Sequence, residues 1–438
     1  MRLSLTALAV AWLAASSAFA AGPAIPPQGD IVPREISWLA SRPSDGPVIK
    51  TVEAIADEYA KTHPGFKLDI IETPDRPSYL QKVETLAAAR QLPEFFDTDA
   101  TPFAQKLQQQ GLMVDTAAIL DSLKLTDQFR PVALNYDRFG DGSLYLIPLE
   151  FGFEMFWYNK AMFQKAGVDV PKTLDDLPAV CSALAKTGVL PIALDGVDGW
   201  PPMRMIAWYP FRLAGSDYLQ KLKTGAAKMS DPPGDKAVKW LASLQSAGCF
   251  SKDFSAQGYT DARDLFTQGK AAIYYMGTWE TDAMTNEASQ APAVRGNIDY
   301  YTLPMTPDAK TTADEFFVNS GIGMAVGSTT FDPLVYDFLK YLLSRYPAMF
   351  AATGSLSPMT AAPKELPNKS PIYAKIVGEL PKLGAEFAVP WDTQLDPTSN
   401  TVIQQNITLL LQGNITPKQF EDTVDAAIAE NAPGFFGK

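Results

Sequence analysis

The sequence predicts an α/β protein of two lobes, each an open, mostly parallel sheet flanked by helices. Three observations predict it. Strand-like and helix-like segments alternate along the chain, which argues for parallel sheets with helical crossovers. The chain has 438 residues, too many for one ordinary core. No long flexible linker, repeat or low-complexity tract separates two halves, so the chain is expected to pass between the lobes more than once.

The elements follow in order. Residues 1–20 begin with Arg2, run through apolar chain from Leu3 to Ala15 and end at Ala18-Phe19-Ala20. That pattern is a secretory leader, because the run is too short to span a bilayer and ends on a small-x-small triplet. No Cys follows the triplet, so no lipid anchor is expected. Residues 21–30 are rich in Pro and Gly and read as a mobile lead-in. Ile36 to Leu39 suits a first strand. Thr51 to Lys61 places Val52, Ile55, Ala56 and Tyr59 at helical spacing. Phe66 to Ile71 alternates as a strand, Tyr79 to Arg90 reads as a helix, and Pro93 to Asp97 is strand-like. Thr101-Pro102 caps and opens a helix that Gly111 stops. Thr173-Leu174-Asp175-Asp176 has the form of a capping box for a helix running towards Gly188. Val189 to Leu194 follows as a strand. Ala237, Trp240, Leu241 and Leu244 form one helical face. Asp332-Pro333 and Thr416-Pro417 each cap a later helix with its apolar face inward.

Composition removes several functions. The formal net charge is −12. An acidic chain without a basic cluster argues against nucleic acid or an anionic membrane as partner. His63 is the only histidine and lies in a helix-to-strand turn, so a Ser-His-Asp triad has no support. Zinc needs clusters of His and Cys, and no phosphate-loop, dinucleotide or EF-hand spacing occurs, so no metal or cofactor is expected. Paired carboxylates for glycoside cleavage stay open, but 49 acidic residues make chance pairs certain. The two cysteines, Cys181 and Cys249, are assigned as a disulfide suited to an oxidising compartment, with two buried thiols as the alternative.

Several ordered segments resemble a known family. They include Tyr79-x-x-Lys82, Leu92-Pro93-Glu94-Phe95-Phe96, Asp141-Gly142-Ser143-Leu144-Tyr145, Tyr158-Asn159-Lys160, Lys165-Ala166-Gly167-Val168 and Pro171-Lys172-Thr173-Leu174-Asp175. Further along come Phe266-x-x-Gly269-Lys270-Ala271, Gly277-Thr278-Trp279 and Leu411-x-Gly413. Together they resemble the extracellular solute-binding proteins of ATP-driven sugar importers, relatives of maltose-binding protein. Glu94 and Leu174 depart from the family's usual Asp and Trp. The resemblance implies a type II periplasmic-binding-protein fold with several hinge crossings. It places the first lobe at 31–150 and 305–353 and the second at 151–304 and 354–438. It also implies a carbohydrate ligand held in the interlobe cleft, a membrane permease as partner and a periplasmic location, with no enzyme activity and a monomeric state. A polyol, glycerophosphate or polyamine ligand is the alternative within binding, and a secreted glycosidase is the alternative outside it.

A sugar offers flat apolar faces and a ring of hydroxyls, so its site needs stacking aromatics and planar polar partners. Trp279, in a Gly-Thr-Trp-Glu turn after the strand Ala272 to Met276, is the leading candidate, with Glu280 beside it. The position of Trp279 matches a stacking aromatic in the family. Trp38 ends the first strand and Arg42 follows in its loop. Asp97 and Asp99 follow the Phe95-Phe96 strand end. Glu150 sits in apolar chain at the first crossing and needs a partner. Trp200 in the loop after Val189 to Leu194, Asn319 at the return to the first lobe, and Trp391 with Asp392 in a Pro-flanked loop complete the set.

Overall fold

The computed structural model describes residues 23–73, 75–315, 317–360, 370–382, 387–388 and 390–436. The leader assigned to residues 1–20 lies outside the described residues. Residues 23–30 are not a free lead-in, because Ile25 packs against the core of the first lobe.

Ten strands form two sheets among the described residues: Glu35–Leu39 (β1), Lys67–Ile71 (β2), Phe95–Thr98 (β3), Leu146–Ile147 (β4), Gly152–Asn159 (β5), Leu190–Ala193 (β6), Ala271–Gly277 (β7), Ile298–Tyr301 (β8), Val318–Asn319 (β9) and Gly323–Val326 (β10). The first sheet has the order β2-β1-β3-β10-β4 and the second β6-β7-β5-β8, with β9 on β5. The α/β class holds, but the strands are not mostly parallel. Parallel pairing joins β1 to β2, β1 to β3 and β6 to β7, while β10 and β5 run antiparallel to all their partners. The reason is the crossing of the chain. Strands of βα units end at the gap between the lobes, whereas β5 and β10 enter their sheets from that gap and run away from it.

Local chemistry accounts for the helix starts. The Thr101 hydroxyl accepts from the Ala104 N–H at 3.0 Å, and Asp75 caps the helix Arg76–Ala88 through the Ser78 N–H at 2.7 Å. The capping box at Thr173 is closed, with Asp176 accepting from the Thr173 N–H at 2.8 Å. Helix Pro333–Ala352 lays Val335, Phe338, Leu339 and Leu342 on the first sheet, each fully buried. Burial of such a side chain contributes about 1.5–3 kcal/mol relative to exposure. The second lobe has a larger core built around Trp157, Trp208, Tyr274 and Phe156. A Cys181–Cys249 disulfide ties its helix Leu177–Lys186 to the turn after helix Pro232–Ser246, which lies along β6, where the Ile192 N–H donates to the Cys249 carbonyl.

The chain returns to the first lobe later than residue 305. Met305 bridges to Thr173, and the buried Arg212 donates to the carbonyls of Leu303, Pro304, Thr312 and Glu315. One arginine thereby fastens the segment up to Val318–Asn319 to the second lobe, and the crossing falls at 320–322.

Candidate ligand cleft

Chain direction fixes what faces the gap. The loops after β1, β3, β6 and β7 all leave their strands there, as expected for ligand sites at the carboxyl ends of strands. The gap is a cleft of about 790 Å³ lined from both lobes.

The second-lobe wall carries two tryptophans. Trp279 sits in a 3₁₀ turn after β7, half-buried, with its ring 6.2 Å from that of Trp200 and tilted by 60°. A Cβ on Gly277 would overlap the Trp279 indole, so glycine is what lets the ring fold back over the strand end. Trp200 is not in a loop. It is the first residue of the buried helix Trp200–Ala214, where Pro201 and Pro202 suit the unpaired N–H groups of a first turn. Beside the pair, Glu280 is only 4% exposed and accepts a hydrogen bond from the Tyr259 hydroxyl. Burial pushes its carboxyl up to about 7.

Arg204, on the helix that Trp200 opens, was not singled out from the sequence. Its Nε donates to Glu154 Oε1 at 2.8 Å, its Nη1 pairs with Asp392, and its guanidinium lies 5.1 Å from the Trp200 ring centroid. Glu154 also accepts from the Tyr275 hydroxyl and from Asn319 Nδ2 at 3.1 Å. Asn319 and Asp392 therefore line the cleft while bound into this network.

The first-lobe wall is built on Arg42 and Arg76. Arg42 reaches Asp97 through Nε at 3.0 Å and Glu150 through Nη1 at 2.5 Å, and its Nη2 donates to the Ile322 carbonyl. Gly321, with φ of 71°, closes against Glu150 where a Cβ would collide. Arg76 pairs with Asp99. Asp137 lies fully buried below, and neither carboxylate oxygen has a hydrogen-bond partner among the described residues. Burial, with Asp99 nearby, holds it well above the usual carboxylate range.

Three candidates do not face the cleft. Trp38 is fully buried on the inner face of β1, and its Nε1 donates to Asp97 at 3.1 Å. Asp97 is equally buried, and its oxygens are taken by Trp38, the Ser41 N–H and Arg42. It positions Arg42 instead of meeting a ligand. Trp391 opens the short helix Trp391–Gln394 and stacks on Tyr218 behind the wall, with centroids 6.1 Å apart. The remaining candidates, Arg42, Asp99, Glu150, Trp200, Trp279, Glu280, Asn319 and Asp392, share one surface.

The lobes also touch across the rim. Arg263 pairs with Asp45 at 3.2 Å, the Arg76 N–H reaches Asp198 at 3.4 Å, and Gln394 Nε2 donates to the Ala100 carbonyl at 3.1 Å.

Two lobes closing on a polar cleft with an aromatic wall define a solute receptor. A family profile for bacterial extracellular solute-binding proteins matches residues 45–345, and the chain belongs to that family. An uncharacterised extracellular-binding protein of an ABC transporter from Pyrococcus horikoshii is 31% identical over 34% of this chain and 33% of its own length. The alpha-glucosides-binding periplasmic protein AglE of Rhizobium meliloti is 22% identical over 60% of this chain and 62% of its own length. Among solved structures, a chitin oligosaccharide binding protein aligns with a TM-score of 0.80 at 22% identity, covering 93% of this chain and all of that one. Maltose-bound MalE3 of T. maritima aligns at 0.69 and 16% identity, covering 90% and 99%. These likenesses show the fold.

Proposed function

We propose that this chain is the periplasmic substrate-binding component of an ABC importer, capturing a carbohydrate between its lobes and delivering it to the membrane permease. The observation that carries this reading is the Trp200–Trp279 pair on one wall, set opposite planar charged groups on the other. Stacked rings take the apolar faces of a sugar, and carboxylate and guanidinium groups take its hydroxyls. A ligand touching both walls favours the closed arrangement by its extra contacts there. No described helix is long and apolar enough to cross a membrane.

The receptor binds its ligand without converting it and works as a monomer. Incubation with oligosaccharides should return them intact, and the appearance of shorter products would favour a glycosidase instead. A thermal-unfolding screen against neutral oligosaccharides, polyols and polyamines is expected to raise the melting temperature with a saccharide alone. Trp279→Ala should weaken that saccharide's binding by about 30-fold or more, the range for an aromatic hot spot, with folding intact by circular dichroism. Unaltered affinity in a titration would remove Trp279 as the platform.

A further inference from the structure

Sites for carboxylated or phosphorylated solutes turn open cationic donors towards the ligand. Here four arginines line the cleft among the described residues, Arg42, Arg76, Arg204 and Arg263, and each is already ion-paired with carboxylates of the protein. The fifth lining cation, Lys50, is exposed on helix Pro47–Ala60, where its charge is felt by Asp282. Against these five stand eleven lining carboxylates among the described residues. With Glu280 half-protonated near pH 7, the wall is still acidic.

We propose, resting on the saccharide reading above, that the cleft selects saccharides without anionic groups and accepts a protonated amine, because its arginines are occupied by its own carboxylates. Asp45, Asp99, Glu150 and Asp392 are then specificity determinants. Each masks a guanidinium that an acidic sugar would otherwise find. An incoming carboxylate meets like charges in a partly dehydrated space, where repulsion is strong and screening weak. A glycerophosphate, one alternative raised by the sequence, is disfavoured for the same reason.

The test compares three ligands of one length by calorimetric titration of the full chain. They are the neutral oligosaccharide that binds best in the thermal screen, its counterpart with C6 oxidised to carboxylate, and its counterpart with the 2-hydroxyl replaced by an amine. The uronate is expected to bind at least ~100-fold more weakly than the neutral sugar, as repulsion between like charges implies. The amine should bind at least as well as the neutral sugar. Asp45→Asn, a change at a side chain 60% exposed, should narrow the uronate gap several-fold, because it leaves Arg263 with only Asp264, 3.8 Å away, as its ion-pair partner. Uronate binding within about 3-fold of the neutral sugar overturns the proposal and leaves the carbohydrate reading standing. Failure of every saccharide in the screen overturns both together.

Discussion

The two walls of the cleft solve different problems. The first-lobe wall is charged and already paired: the Arg42 side chain is held at three points and that of Arg76 at two, Asp99 and the Ser41 hydroxyl, each by groups of its own lobe or the hinge. The second-lobe wall pairs one charged network, centred on Arg204, with two tryptophans. A sugar face placed on the indoles gains contact area in the second lobe alone. Only after closure does it meet the preset groups of the first. On the proposed saccharide reading, binding strength and closure are separately encoded, the one in Trp200 and Trp279, the other in polar groups that the protein's own carboxylates already orient.

That division can be broken by substitution. The largest effect is expected for Arg204→Ala, which strands Glu154 in a buried site. Removing one partner of a buried ion pair costs about 3–5 kcal/mol. Chemical unfolding should show that loss, and retention of wild-type stability would mean the network is not a structural tie. A smaller effect, about 2–4 kcal/mol, is expected for the Cys181→Ala, Cys249→Ala double variant, which opens a 68-residue loop. Hydrogen exchange should rise in the second lobe and not in the first, and equal rises would deny that the lobes are separate units. The smallest concerns pH. The Glu280 carboxyl is near 7 when folded and near 4.5 in free chain, so the native state binds the extra proton between those values. Stability from this group is full below about pH 4.5 and is lost as pH rises from there through 7. Glu280→Gln should flatten that part of the profile, and an unchanged slope would assign it to another group.

Much of the frame was legible in the sequence. Asp and Thr before Pro announced helix starts at Thr101, Asp332 and Thr416, because capping is local chemistry. The turn carrying Trp279 was legible for a similar reason, since a strand followed by Gly-Thr-Trp leaves the ring nowhere to go but the strand end. Trp38, Asp97 and Trp391 were not legible as inward residues. Their orientation depends on which face of a strand or helix a distant partner covers: Trp38 and Asp97 satisfy each other from neighbouring strands, and Trp391 rests on Tyr218. Arg204 did leave a signal. A cation in the apolar helix Trp200–Ala214 demands buried partners, and those partners are 50 and 188 residues away. The antiparallel entries of β5 and β10 were hidden because strand direction follows from where the chain crosses, not from the strand's own residues.

The late return of β10 has a consequence for the order of synthesis. β10 pairs directly with β3, yet it is made 225 residues later. At about 5–20 residues per second the ribosome takes on the order of 10–45 seconds to supply it. During that interval β1, β2 and β3 present an unpaired edge while the whole sheet of the second lobe is being emitted. The sheet begun first is therefore closed second, and its nascent edge must be kept from pairing with other chains until residue 326 is available.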